Sequence, residues 1–165
     1  GAASIELARR GAEVVAIDLS PTLVDVARQR SAQSTLRGSI DFRAGDMLDA
    51  ALGEFDYVFA MDSLIHYELA DAVAAASALA PRVRQGFVFT FAPRTPLLAT
   101  MHAVGKWFPR ADRAPQIVPT AEQALRDALQ QALPVFTAVR TQQVKSSFYT
   151  SQAMELQSTP RRISS

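Results

Sequence analysis

Cysteine is absent from the chain, and that removes disulfides, thiolate metal sites and thiol nucleophiles from consideration. Histidine is nearly as scarce: only His66 and His102 occur, too few for a histidine-rich metal centre, and no metal is expected. No apolar run approaches the roughly 18 residues of a membrane-crossing helix, and no secretory leader pattern is visible. No charge sign dominates either. Seventeen Lys and Arg nearly cancel sixteen Asp and Glu, and the basic residues form no stripe or run, which excludes bulk nucleic-acid binding. The first methionine is Met47, so the chain reads as one whose N-terminal part lies elsewhere. What is present is ordinary for a soluble domain: 165 residues, 48% apolar and 20% charged, enough for a single core. The cytoplasm is the expected compartment.

The strongest local signal is a strand that ends in an acid. Val14–Ile17 form a short apolar run with Asp18 at its carboxyl end, 17 positions after Gly1, and a helical stretch (2–10) lies between. In a parallel α/β sheet, ligands bind outside the carboxyl ends of the strands, where an acid can grip ribose hydroxyls. Gly11 suits the position after a helix, Ser20 can cap the next one and Pro21 fits its first turn. That second helix should run to about Arg30. Further strands are expected at 40–43, closed by Gly45 and Asp46, and at 55–61, where FDYVFAM reads as buried on both faces.

An alanine-rich helix follows at 69–79 and stops at Pro81; GFVFTF (86–91) is another buried strand. Regularity then fails from Ala92 to Pro119. Thr120 and Gln123 have capping-box spacing ahead of a helix with Leu125, Leu129 and Leu133 on one face. Runs at 135–141 and 147–155 read as an antiparallel hairpin, turning at about Gln142–Lys145. Adding one strand before Gly1 gives a doubly wound, mostly parallel, seven-stranded α/β sheet with an antiparallel C-terminal hairpin. The expected organisation is one domain over 1–157, an insertion at 96–118 on the substrate side, and a tail at 158–165.

With these residues in place the chain resembles the class I S-adenosylmethionine-dependent methyltransferases, a Rossmann-like superfamily. The resemblance implies that Asp18 binds the ribose, with Leu19 beside it, and that Asp46 meets the adenine amino group with Met47 against the ring. Gly1 matches the last glycine of the loop around the methionine half. MDSLIHY (61–67), FTFAPRTPLL (89–98), MHAVGKWFPRADRAP (101–115) and SFYTSQAMEL (147–156) sharpen the match. They are similar to the magnesium-protoporphyrin IX O-methyltransferases of chlorophyll and bacteriochlorophyll synthesis. That family implies methyl transfer to a propionate of magnesium protoporphyrin IX, and its matching LIHY segment carries a functional histidine. An arm that closes over the site lies before the glycine loop and cannot be mapped here. The resemblance also leaves open a magnesium-chelatase subunit as porphyrin donor and peripheral contact with the photosynthetic membrane.

Each residue also has a plainer reading. Asp18 can be a helix-entry acid, although Ser20 already fills that role; Asp46 can be a loop acid in a turn. Asp56 begins a strand and reads as structural. Asp62, at the end of the fourth strand of the complete sheet, is expected near cofactor and substrate, with loop capping as the alternative. His66 lies four residues beyond Asp62 and is the candidate catalytic or substrate-orienting group, Tyr67 a substrate contact beside it. His102 fits helix packing better. Leu97, Met101, Val104 and Phe108 recur at helical spacing with Trp107 alongside. Such a stripe is usually core, but at the active-site edge Met101 and Trp107 could face a flat porphyrin, or the stripe a membrane. Arg94, Arg110 and Arg113 could each fork onto a substrate carboxylate. A NAD-dependent dehydrogenase shares the first half of the pattern, and a scaffold that binds nothing is the non-enzymatic alternative. With most of the glycine loop absent from the chain, weak cofactor binding is expected of it alone.

Overall fold

The computed structural model describes residues 1–94, 117–145 and 150–159. They fall into two compact units, Gly1–Leu52 and Gly53–Ser165.

In the first unit, helix α1 (Ala2–Arg9) leads to strand β1 (Glu13–Asp18), helix α2 (Pro21–Ser31) and strand β2 (Ser39–Ala44). The local signals act as expected. Gly11 takes φ +99°, a conformation that costs glycine little, and ends α1. Ser20 Oγ accepts from the Leu23 N–H at 3.3 Å, and Pro21 opens α2. Strands β1 and β2 run parallel from Glu13↔Ser39 to Asp18↔Ala44. At the base of the pair, Gly38 passes so close to Ala12 that a Cβ would lie 2.0 Å from the Ala12 carbonyl oxygen. Only glycine fits there without moving backbone. Ala8 is fully buried, and its carbonyl accepts from the Gly11, Arg37 and Gly38 N–H groups, which joins the end of α1 to the entry of β2.

The second unit is built around β4 (Val83–Pro93), which pairs in parallel with β3 (Phe55–Ala60) and antiparallel with β7 (Thr150–Ser158). Strand β6 (Phe136–Lys145) lies outside β7, and the short β5 (Pro119–Thr120) pairs in parallel with the end of β4. Side chains alternate across a strand, so Phe87, Phe89 and Phe91 share one face of β4, with successive ring centroids 5.2 and 6.4 Å apart. Met154 and Leu156 on β7 stand opposite Phe89 and Phe87, and all five side chains are buried. Helix α3 (Leu69–Leu79) buries Ala72, Ala75, Ala76 and Leu79, and α4 (Glu122–Ala132) buries Leu125 and Leu129, with Leu133 buried just beyond. Ala80, Leu133 and Phe136 close against Phe87 and Leu156. Fold class is therefore α/β with parallel crossovers and an antiparallel terminal hairpin, as expected.

Three readings need correction. β3 is not buried on both faces: Tyr57, Phe59 and Met61 are exposed, and among the described residues the strand pairs only with β4. Thr120 and Gln123 form no capping box. The helix cap is Ala121, Thr120 belongs to β5, and Gln123 Nε2 donates to Asp127 instead. The polar residues Gln142–Lys145 are not a turn but the end of β6, paired with Thr150–Ala153. Among the described residues, no helix is long and apolar enough to cross a membrane.

A polar knot fastens α4 to the hairpin. Glu122 accepts from Arg126 at 3.1 Å, from Thr141 Oγ1 at 3.0 Å and from Gln152 Nε2 at 2.6 Å, while Arg126 also donates to the Ala138 carbonyl. The Arg126 hydrogen bond, with help from Gln152, holds the Glu122 carboxyl below its ordinary range. A depressed carboxyl pKa contributes stability that is complete above the unfolded value of about 4.3 and is lost as pH falls through the lower folded value. Glu122→Gln is expected to cost about 1–2 kcal/mol in urea melts at pH 7. Its gap from the parent protein should close as the buffer is taken below about pH 4; a gap that stays constant with pH would show that the charge contributes nothing.

Candidate functional site

In the first unit, parallel pairing brings two acid-tipped strands to one edge. Asp18 is the last residue of β1, and Asp46 lies two residues beyond the end of β2. The Gly45 N–H donates to the Asp18 carbonyl at 2.9 Å, tying the second tip to the first. Each carboxylate is then turned by its own loop: Asp18 Oδ1 accepts from the Ser20 N–H and Asp46 Oδ1 from the Leu48 N–H, both at 2.8 Å. This is the short-range side-chain-to-backbone bonding that Asp favours in turns. One oxygen of each carboxylate is spent on position and the other remains an acceptor.

Both acids are exposed; Leu19 is 78% exposed beside Asp18, and Met47 is half-buried beside Asp46. The edge thus offers two oriented acceptors and two apolar side chains, a set suited to a diol and a flat heterocycle with an amino group. Gly1 caps α1 through its carbonyl, which accepts from Ile5, and a Cβ on it would lie 2.8 Å from Ala27 Cβ on α2. Close packing on α2 is reason enough for glycine at that position.

In the second unit, the candidates gather where β3 and β4 end. β3 stops at Ala60, so Asp62 stands two residues past the strand rather than in it. Its backbone has φ +55°, the one positive φ at a non-glycine residue among those described. The Asp62 N–H donates to Thr90 Oγ1 on β4 at 2.7 Å, and that hydroxyl lies 3.2 Å from Asp62 Oδ1, to which it donates. Leu64 and Ile65 are buried, and the Tyr67 N–H donates to the Leu64 carbonyl. His66 and Tyr67 follow as half-buried side chains.

The chain beyond β4 is pinned back onto this loop. Val118 N–H donates to the Ile65 carbonyl at 2.9 Å, and Arg94 N–H to the Thr120 carbonyl at 3.0 Å, while the Arg94 side chain is exposed. Asp62, His66, Tyr67 and Arg94 are thus brought to one end of the second unit's sheet. Asp56, at the other end of β3, lies 3.9 Å from Arg84, in keeping with its structural reading. Met101, Trp107, His102, Arg110, Arg113 and the Leu97–Phe108 stripe lie outside the described residues. Sequence reasoning missed Thr90: a threonine inside GFVFTF looks like any β-former, and only the sign of φ at a residue 28 positions earlier reveals its use.

Comparison with known proteins gives two family matches. Residues 60–158 match the model for the magnesium-protoporphyrin IX methyltransferase C-terminus, and residues 1–86 match a general methyltransferase domain. A magnesium-protoporphyrin O-methyltransferase of Rhodobacter capsulatus is 43% identical over 94% of this chain and 66% of its own length. A counterpart from Synechocystis sp. is 30% identical over the same shares. The crystal structure of magnesium protoporphyrin IX methyltransferase from Synechocystis with bound SAH superposes with a TM-score of 0.79 at 29% identity, covering 94% of this chain and 68% of that one. The chain therefore spans about two thirds of the length of the relatives it matches.

Proposed function

The chain belongs to the magnesium-protoporphyrin IX methyltransferase family, and from that premise we propose that the protein methylates a propionate carboxylate of magnesium protoporphyrin IX. The methyl donor is S-adenosylmethionine and the product is the monomethyl ester, a step of chlorophyll or bacteriochlorophyll synthesis. The observation that carries the cofactor half is the pair of pinned acids at neighbouring strand tips, with Leu19 and Met47 beside them. Asp18 accepts from the ribose hydroxyls and Asp46 from the adenine amino group; Leu19 and Met47 cover the flat ring, and Gly1 and Asp62 complete the cofactor set. Tyr67, Arg94, Met101 and Trp107 contact the porphyrin. The dehydrogenase alternative loses its support, since the same acid-tipped strand lies within the methyltransferase match.

When bound, S-adenosylmethionine supplies an electrophilic methyl group on a sulfonium. A carboxyl of ordinary pKa, about 4.3, is already ionised at neutral pH, so no strong general base is needed. A carboxylate oxygen–methyl bond forms as the sulfur–methyl bond breaks, and no proton is transferred overall. Opposite charges cancel on the way to the transition state, so exclusion of water and in-line alignment supply most of the rate. His66, held between buried Ile65 and the turn at Tyr67, orients the attacking carboxylate rather than deprotonating it. A magnesium-chelatase subunit as porphyrin donor, and a peripheral place at the photosynthetic membrane, belong to the same reading.

The direct test incubates the whole protein with magnesium protoporphyrin IX and methyl-labelled S-adenosylmethionine; label is expected in a porphyrin monomethyl ester. Cofactor binding without labelled porphyrin would keep the methyltransferase and overturn the substrate. Asp18→Ala removes charged-acceptor hydrogen bonds worth roughly 1.5–3 kcal/mol, so calorimetry should show cofactor affinity about 10–100-fold weaker. Unchanged affinity would remove Asp18 from the site. His66→Ala should lower kcat by about 10–100-fold through lost orientation, with cofactor affinity within about twofold of the parent. Normal turnover in that variant would sink the histidine's role.

A further inference from the structure

We propose that Thr90 is the positioning residue for the loop that presents His66, acting through the backbone of Asp62. This rests on the reading of His66 given above and extends it to a buried residue of β4. The chain must reverse sharply after β3, and it does so with Asp62 in the left-handed region at φ +55°. That conformation is unfavourable for a residue with a Cβ, though Asp tolerates it better than most, and it persists where surrounding contacts over-determine it. Two of those contacts come from one hydroxyl. Thr90 Oγ1 accepts the Asp62 N–H at 2.7 Å and lies 3.2 Å from Asp62 Oδ1, as its donor. Thr90 is 8% exposed, on the strand that pairs with β3, β5 and β7, and on the face opposite Phe89 and Phe91.

Rigidity therefore passes from β4 to the first residue of the loop that matters. Farther along, buried Leu64 and Ile65 act as plugs, and the Val118 N–H clamps the Ile65 carbonyl at 2.9 Å. His66 follows the clamped residue directly. The loop is fixed at its entry by Thr90 and at its exit by Val118. Loss of the entry bond lets Asp62 relax toward ordinary φ and rotates the chain ahead of His66. A displacement of about 1 Å at a reacting centre can cost on the order of a hundredfold in rate.

The test uses Thr90→Val, which keeps the shape and loses the hydroxyl, Thr90→Ala as a second removal, and Thr90→Ser, which keeps the hydroxyl. In the whole protein, Val and Ala are expected to lower kcat by about tenfold or more, with Ser close to wild type. Amide exchange at Asp62 should accelerate by about tenfold in Val and Ala but not in Ser, because its protecting acceptor is gone. Thr90→Val or Thr90→Ala with parental kcat at a temperature where it is folded overturns the proposal, as does a Ser variant as slow as Val. Should the parent protein methylate no porphyrin, the functional reading fails separately. Exchange alone then decides: acceleration confined to Val and Ala upholds the hydroxyl's hold on the loop, and unchanged exchange overturns it.

Discussion

Parallel strand pairing is the constraint on which everything else here depends. Two strands that run the same way end at the same edge, so whatever chemistry their last residues carry is delivered to one side. β1 and β2 deliver Asp18 and Asp46 in this way, and β3 and β4 deliver the Asp62–Tyr67 loop and Arg94. Neither group is close in sequence. Asp18 and Asp46 are joined across a helix, Asp62 and Arg94 across another, and the register of the ladder makes them neighbours. Gly38 shows how tightly the first register is held, since its path past Ala12 leaves no room for a methyl group.

Within the second unit, β4 performs two tasks that alternate along its sequence. Phe87, Phe89 and Phe91 on one face are packed by Met154 and Leu156 and supply the apolar contacts that hold the sheet together. Thr90, between two of those rings in sequence, points the other way and spends its hydroxyl on Asp62. Strong burial on one face makes the opposite face a dependable mount. The Glu122 knot does related work elsewhere in the unit, holding α4 to β6 and β7 with charge-assisted hydrogen bonds.

Much of this was legible in the sequence because the signals were local. Asp18 after an apolar run, Ser20–Pro21 at a helix start and Gly11 at a helix end each act through their immediate neighbours, and each acts as its chemistry suggests. What could not be read depended on partners far along the chain. β5 is two residues long and exists only because β4 offers Ala92 and Pro93 to pair with; that pairing takes Thr120 away from the helix cap its spacing suggested. Gln142–Lys145 looked like a turn because polar residues cluster there, yet β7 draws them into a ladder whose outer side faces water. β3 reads as fully buried from hydropathy, yet among the described residues it pairs only with β4 and leaves Tyr57 and Phe59 exposed. In the candidate site, the acids were visible by their placement at strand ends; the hydroxyl that sets Asp62 was not, because its evidence is a backbone angle.

The short pairing of β5 with β4, together with the Val118–Ile65 bond, has an evolutionary meaning. It closes a neck: Arg94 and Val118 are each fastened to residues that belong to the framework itself. Whatever lies between can be lengthened, shortened or exchanged at a closure cost that rises only logarithmically with its length. The loop bearing His66 is secured on the framework side of that neck. Sequence changes confined to the stretch between those two anchors therefore leave the fastening of the loop itself as it is.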